Sequence, residues 1–236
     1  MEGTSMVRDD LFSQMALELE AFDSTDRALE TVAHYARVAV NADDAGVMLV
    51  TGDTVETPAA TSTEVNRAHE LQAELGEGPC VAALSGGEQS YRVSNTLDDA
   101  RWPIWGKAAA GLGYHSVISS SLETTSRRLG SLNAYARAVD AFADEDVEVM
   151  TLVAAHASVA IAAAKTRGEL HEALGTRTTI GQAQGILMHA FSINSDQAFA
   201  YMRRLSQDRN IKLFKIAQEV IGNREELGRG EGVSAV

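Results

Sequence analysis

The sequence predicts an α+β domain, then a long linking helix and an all-α three-helix bundle. Three observations carry this. Up to about residue 140, short β-rich runs alternate with helical ones. From Asp144 to Phe191 there is neither a proline nor a strand signal. Two amphipathic segments then follow, separated by a breaker.

Taken in order, Leu11, Met15 and Leu19 recur at helical spacing, and Leu29, Val32, Ala33 and Ala36 form a second stripe with Ser24 or Thr25 as its cap. AGVMLVT (45–51) is β-rich, and VETPA behind a Gly-Asp turn reads as the return strand of a hairpin. Residues 63–75 read as helix, GEGP stops it, and Pro79 suits the first position of a short helix beyond. QSYRV (89–93), YHSVISSSL (114–122) and RLGSLNAYAR (128–137) are further strands. A helix with Trp105 and Ala108–Ala110 separates the first two of them.

The helix from Asp144 opens on an acidic turn that complements its dipole, and its alanines favour helix. Gly168 and Gly175 each weaken it by about 1 kcal/mol relative to alanine, and mark places for a bend or a close helix crossing. Over 195–208, Ala198, Phe199, Met202 and Leu205 share a face, capped by Asn194 or Ser195. Asp208–Asn210 breaks the chain. Over 211–222, Leu213, Ile216, Ala217, Val220 and Ile221 form the last stripe. Domains are expected at 1–165 and 166–224, with a disordered glycine-rich tail at 225–236. The bundle is small for a core of its own, and Ala163, Leu170 and Leu174 lie near coiled-coil spacing, so a homodimer through the long helix is expected.

Of the 236 residues, 45% are hydrophobic and 22% charged, ordinary values for a chain that buries a core. The net charge of −13 is unevenly spread. Residues 1–165 hold 11 Lys and Arg against 25 Asp and Glu, whereas 166–224 hold 8 against 5. An acidic domain ahead of a mildly basic one suits a polyanion-binding module, although so small an excess also fits ordinary scatter. No stretch approaches the roughly 18 apolar residues of a membrane span, and the acidic start lacks the features of a secretory signal. One cysteine, Cys80, forms no internal disulfide. A cytoplasmic protein without a membrane partner is expected.

No phosphate-binding loop, dinucleotide fingerprint, HExxH or CxxC motif is present. Cys80 has no histidine placed beside it, and the six histidines have no metal-ligand spacing. No enzyme is expected. Arg177 on the long helix, Arg203 and Arg204 opposite the apolar face of the next, and Lys212 and Lys215 on the last are candidates for contact with phosphates. Spacing alone favours solvated helix faces over a phosphate-binding surface.

The run IGQAQGILMHAFSINSDQAFAYMRRLSQDRNIKLFKIAQEVI (180–221) resembles the ANTAR domain, a family of bacterial antiterminators that bind paired RNA hairpins. The family pattern is carried by Ala183 and Gly185, Ile186-Leu187-Met188, Ala198-Phe199, Leu205-Ser206, Asn210, Lys212-Leu213 and Ala217. The resemblance implies RNA hairpins in mRNA leaders as partners, and no DNA. It implies that Gly185 and the alanines allow close helix packing while Phe199, Leu205 and Leu213 fill the core. Gln184 stands where the family usually has lysine, and His189-Ala190 where it often has a charged pair. Phe214 is unusual on a wet face: it stacks on an unpaired base or packs at a dimer seam, and packing is the expectation.

LQAELGEGPCVAAL (71–84), DDARWPIW (98–105) and LGSLNAYA (129–136) leading into AFADEDVEVMTLVAAHASVAIA (141–162) resemble the GAF domain of actinobacterial GAF–ANTAR proteins. That resemblance implies a central antiparallel sheet flanked by helices on one side, with a pocket for a small ligand on the other. GAF pockets elsewhere hold cyclic nucleotides, haem, bilins or metabolites. The cyclic-nucleotide NKFDE signature is absent, and Cys80 is followed by Val81, not by the histidine of a bilin site. Tyr91, Trp102, Trp105 and His115 are the candidate ligand contacts, His115 as a ligand of haem iron. Core packing is the favoured reading for the aromatic residues, and a structural role for His115. The ligand is unknown, and no cofactor is required. The expected function is ligand-responsive RNA binding, with a protein partner for the helical C-terminus as the alternative.

Overall fold

The first helix described in full, α1 (Thr25–Ala39), buries Ala28, Leu29, Val32, Ala33, Tyr35 and Ala36, the face its periodicity predicts. The computed structural model describes residues 13–15, 17–18, 25–51, 54–85, 87–125 and 127–224. Of the first predicted stripe, Met15 is buried in the core, and Leu11 and Leu19 lie outside the described residues, as do Ser24 and the tail from 225. The chain divides into two units, Met1–Gly168 and Glu169–Val236.

Behind α1 come β1 (Asp44–Thr51), β2 (Thr54–Ala60), α2 (Thr63–Leu75), α3 (Pro79–Leu84), β3 (Ser90–Val93), α4 (Pro103–Gly111), β4 (Ser116–Glu123) and β5 (Arg128–Ala136). The five strands form one sheet in the order β2-β1-β5-β4-β3, antiparallel at every junction. β1 and β2 form the predicted hairpin, with Thr51 opposite Thr54. Its register slips between Val47 and Leu49, opposite Pro58. A proline has no N–H for the ladder, and an edge-strand bulge accommodates it.

Strand alternation sorts the two faces. Val47, Ile118, Leu122, Leu132 and Ala134 point to one side, where they pack against α1 and the start of α5 (Asp144–Phe191). Val117 and Tyr135 point to the other, where α2 and α4 cover them with Val65, Ala68, Trp105 and Ala109. Helices therefore flank the sheet on both faces, not on one as the resemblance implied, because Val65, Ala68, Trp105 and Ala109 cover the second face.

α5 begins in the first unit and ends in the second. Contrary to the expectation from sequence, it holds a window long and apolar enough by composition to cross a membrane. The composition has an internal cause: Met150, Val153, Ala154, Ala157 and Ile161 are committed to the core of the sheet domain. Gly168 and Gly175 do not interrupt the helix. A Cβ at either would meet nothing within 4 Å, so neither marks a close crossing among the described residues. α6 (Ser195–Arg209) and α7 (Leu213–Gly222) complete the second unit.

Candidate functional site

In the second unit, α5, α6 and α7 meet on Ala183, Leu187, Ala198, Met202, Ile216 and Val220. Asn194 caps α6: its side chain accepts from the Gln197 N–H at 2.9 Å, while Gln197 Oε1 accepts the Asn194 N–H at 3.0 Å. The helix ends on Asn210 with φ 51, a left-handed conformation that asparagine tolerates better than most residues. The Ser206 hydroxyl donates to the Ile211 carbonyl. Ser206 and Asn210 thus shape the turn that launches α7.

Arg177, Arg203, Arg204, Lys212 and Lys215 are all exposed, and among the described residues none of them forms an ion pair. Arg177 lies on a groove of about 650 Å³ with Glu172, Thr176, Ile180, Gln184 and Phe199. Lys212 and Lys215 flank half-buried Phe214 on a groove of about 700 Å³, walled by Gly175, Thr176, Thr179 and Glu172. Glu172 and Thr176 belong to both grooves, whereas Arg203 and Arg204 line neither.

Two expectations about this core are corrected. Phe199 does not fill it: Ala198 and Met202 take the buried positions, and the Phe199 ring stays 38% exposed. It sits one residue off the Ala198–Met202 row and shares its helix face with Arg203, at i+4. Gly185 does not serve close packing either, because a Cβ there would meet nothing within 4 Å. It lines a third, apolar groove with Ile186, Ala190 and Ile221. Leu205 and Leu213 pack against the core as expected. Gln184, in the lysine's place, donates through Nε2 to the Ser195 carbonyl at 3.2 Å and its Oγ at 3.1 Å. That amide ties α5 to the first turn of α6.

In the sheet domain, the motifs that carried the resemblance brace one another. Glu77 of GEGP accepts the N–H groups of Ile104 and Trp105, capping α4 with a carboxylate where its dipole favours one. Arg101 donates to both oxygens of Asp99, at 2.9 and 2.6 Å, which holds that carboxyl below its usual range. It also reaches the Arg92 carbonyl at 2.6 Å and covers the Trp102 ring at 4.5 Å. Tyr91 meets Trp102 edge-on at 5.5 Å. Trp105 is fully buried and donates its indole N–H to the Ala68 carbonyl at 3.3 Å. The structure therefore brings Tyr91, Trp102 and Trp105 into one cluster. His115 lies outside it, half-buried, its Nδ1 without a hydrogen-bond partner among the described residues.

Beside this cluster lies a buried polar layer that sequence reasoning missed. Gln72 accepts the Cys80 N–H at 2.9 Å and donates to Cys80 Sγ at 2.8 Å and the Tyr135 hydroxyl at 3.4 Å. A Cβ at Gly78, where φ is 131, would stand 2.1 Å from Gln72 Oε1, so this latch requires glycine there. His69 lies between Asn133 Nδ2 at 3.2 Å and Thr57 Oγ1 at 3.1 Å, and Ser119 donates to Asn133 at 2.7 Å. Farther along, the Tyr114 hydroxyl donates to Asp44 at 2.8 Å. Burial pushes the His69 pKa down to about 3 and the Cys80 thiol up to about 11. Burial also raises Tyr135 well above the ordinary phenol. A protonated, enclosed thiol is a poor nucleophile at neutral pH, and among the described residues no His, Cys, Asp and Glu group suits a metal ion. Part of the signal for this layer was present: Ser131 and Asn133 alternate with Leu132 and Ala134 on β5, whereas the run Ser119-Ser120-Ser121 on β4 hides the alternation.

The chain matches the family model of the GAF domain over residues 23–162 and that of the ANTAR domain over 168–221. Similar solved structures include the GAF domain of a phosphoenolpyruvate-protein phosphotransferase from Coxiella burnetii, at 19% identity and a TM-score of 0.57, covering 70% of this chain and 98% of that one. Its Acinetobacter counterpart has 14% identity and a TM-score of 0.54, over 69% and 98% of the two chains. Free methionine-R-sulfoxide reductase from Neisseria meningitidis, solved with its substrate, has 16% identity and a TM-score of 0.54, over 67% and 90%. These likenesses show the fold. No curated protein matches the chain. A sensor domain followed by an RNA-binding domain, neither of them a catalytic family, defines a signal-sensing regulator. The chain belongs to the GAF domain family and carries its ANTAR domain in the GAF–ANTAR two-domain arrangement, an architecture typical of soluble proteins.

Proposed function

We propose that the chain is a dimeric, cytoplasmic antitermination regulator in which a small ligand of the GAF domain biases how two ANTAR domains hold paired hairpins of an mRNA leader. The sensor would comprise 1–165 and the RNA-binding part 166–224. The observation that carries this is the set of five exposed cations, Arg177, Arg203, Arg204, Lys212 and Lys215, contributed by all three helices of the bundle and free of ion pairs among the described residues. Such cations displace counterions from RNA phosphates. Leu170 and Leu174, 59% and 53% exposed, support pairing of two copies along α5. Half-buried Tyr91, over Trp102, is where a ligand would make first contact. Trp105 would act by holding α4, and His115 would offer its unpartnered Nδ1.

The test is Arg203→Ala with Arg204→Ala. The slope of log affinity against log salt for two-hairpin RNA should flatten by about two units, one for each lost phosphate contact. An unchanged slope removes both arginines from the surface. Exposed Phe199 and the committed Gln184 favour a second reading, a protein partner on the bundle. That reading predicts binding with little salt dependence.

A further inference from the structure

We propose that the two grooves on either side of Glu172 and Thr176 hold unpaired bases of an RNA loop, one stacked on Phe199 and the other on Phe214. The inference rests on the RNA-binding reading and adds which part of the RNA is read, and by which residues. Each groove joins an aromatic ring to a cation beside carboxylate: Phe199 with Arg177, Glu169 and Glu172 in one, Phe214 with Lys212, Lys215 and Glu172 in the other. Their volumes, about 650 and 700 Å³, are in the range of small-molecule sites.

The chemistry selects a loop over a stem. Bases in an A-form stem are stacked within a narrow major groove that side chains cannot enter, whereas loop bases splay out and stack on aromatic rings. Stacking tolerates every base, because each has a π-face. Glu172, in the wall common to both grooves, repels phosphate and accepts N–H groups from base edges. Phosphates are therefore directed to the arginine and lysines, and bases to the rings. Gly175 leaves the second groove open, and nothing inside the unit demands glycine there, since a Cβ would meet no atom within 4 Å. An amphipathic helix from a protein partner would want one continuous apolar trough, but Glu172 and Thr176 stand between the two rings.

The experiment uses the full chain with Phe199→Leu and Phe214→Leu, which keep apolar bulk and remove the π-face. Affinity is measured for two-hairpin RNA and for the same RNA with abasic loop positions, over a salt series. Each variant should weaken binding of the intact RNA roughly five- to hundredfold without changing the salt slope. Neither should weaken binding once the base it holds is abasic. As a measurement independent of affinity, the new indole of Phe199→Trp should be quenched by intact RNA and not by the abasic one. Affinities within twofold of the unsubstituted chain, or equal losses on intact and abasic RNA, overturn the groove assignment and leave RNA binding standing. Failure of the unsubstituted chain to bind RNA overturns both.

Discussion

In the sheet domain, Gln72, Cys80, Tyr135, His69, Asn133 and Ser119 face inward and satisfy one another in one buried layer. In the helical unit, the charged groups face outward and five cations are left without ion pairs among the described residues. The glycines repeat the contrast. A Cβ at Gly130 would stand 1.9 Å from the Met48 carbonyl oxygen, whereas one at Gly185 would meet nothing within 4 Å. Where polar groups and backbones are enclosed, almost every atom is specified by its neighbours. Where they are open, residue types answer to something outside the chain.

The largest expected effect breaks the enclosed side of this comparison. Gly130→Ala forces β5 away from β1 and should destabilise the sheet domain by on the order of 3–4 kcal/mol, read as a lower urea midpoint for its unfolding. A loss below about 1 kcal/mol would mean that the strands separate at little cost.

Next comes pH. His69 titrates at about 3 when folded, against about 6.5 in an unfolded chain. The unfolded state therefore binds the proton first. The contribution of neutral His69 is complete above about 6.5 and is lost as pH falls toward 3. Between pH 7 and pH 5 the sheet domain should lose about 2 kcal/mol through this residue. Urea unfolding of His69→Gln at both pH values should show correspondingly less loss, and equal losses would clear His69 of the effect.

The smallest effect concerns the open side. Gly185→Ala should stabilise the helical unit by about 1 kcal/mol in thermal unfolding, because helix propensity improves and nothing is crowded. Destabilisation would reveal a packing demand that the open groove beside it does not show.

The same contrast explains how far the sequence could be read. All five strands and the helices from α1 onward lie close to their predicted places, because strand alternation and helical stripes report burial directly. The pairing of β1 with β2, Pro79 at the start of α3 and the cap at Asn194 were legible from residue type. Phe199 was misplaced because hydrophobicity was read as burial, although Ala198 and Met202 form the inner row without it. Gln72 and His69 were passed over because a polar residue on an amphipathic helix ordinarily faces water. Only the packing of α2 on the sheet turns them inward, where they bond to Tyr135 and Asn133 of β5. The apolar run in α5 was underrated for a related reason: its buried face serves the sheet core, and alanine fills much of the other.

The central claim is that this bundle holds RNA. Its most direct test is a gel shift of the full chain against RNA with two adjacent small-loop hairpins, over a salt series, with single-hairpin RNA as control. Tight, salt-sensitive binding that needs both hairpins is predicted. Absence of binding, or binding indifferent to salt and to the second hairpin, would contradict it.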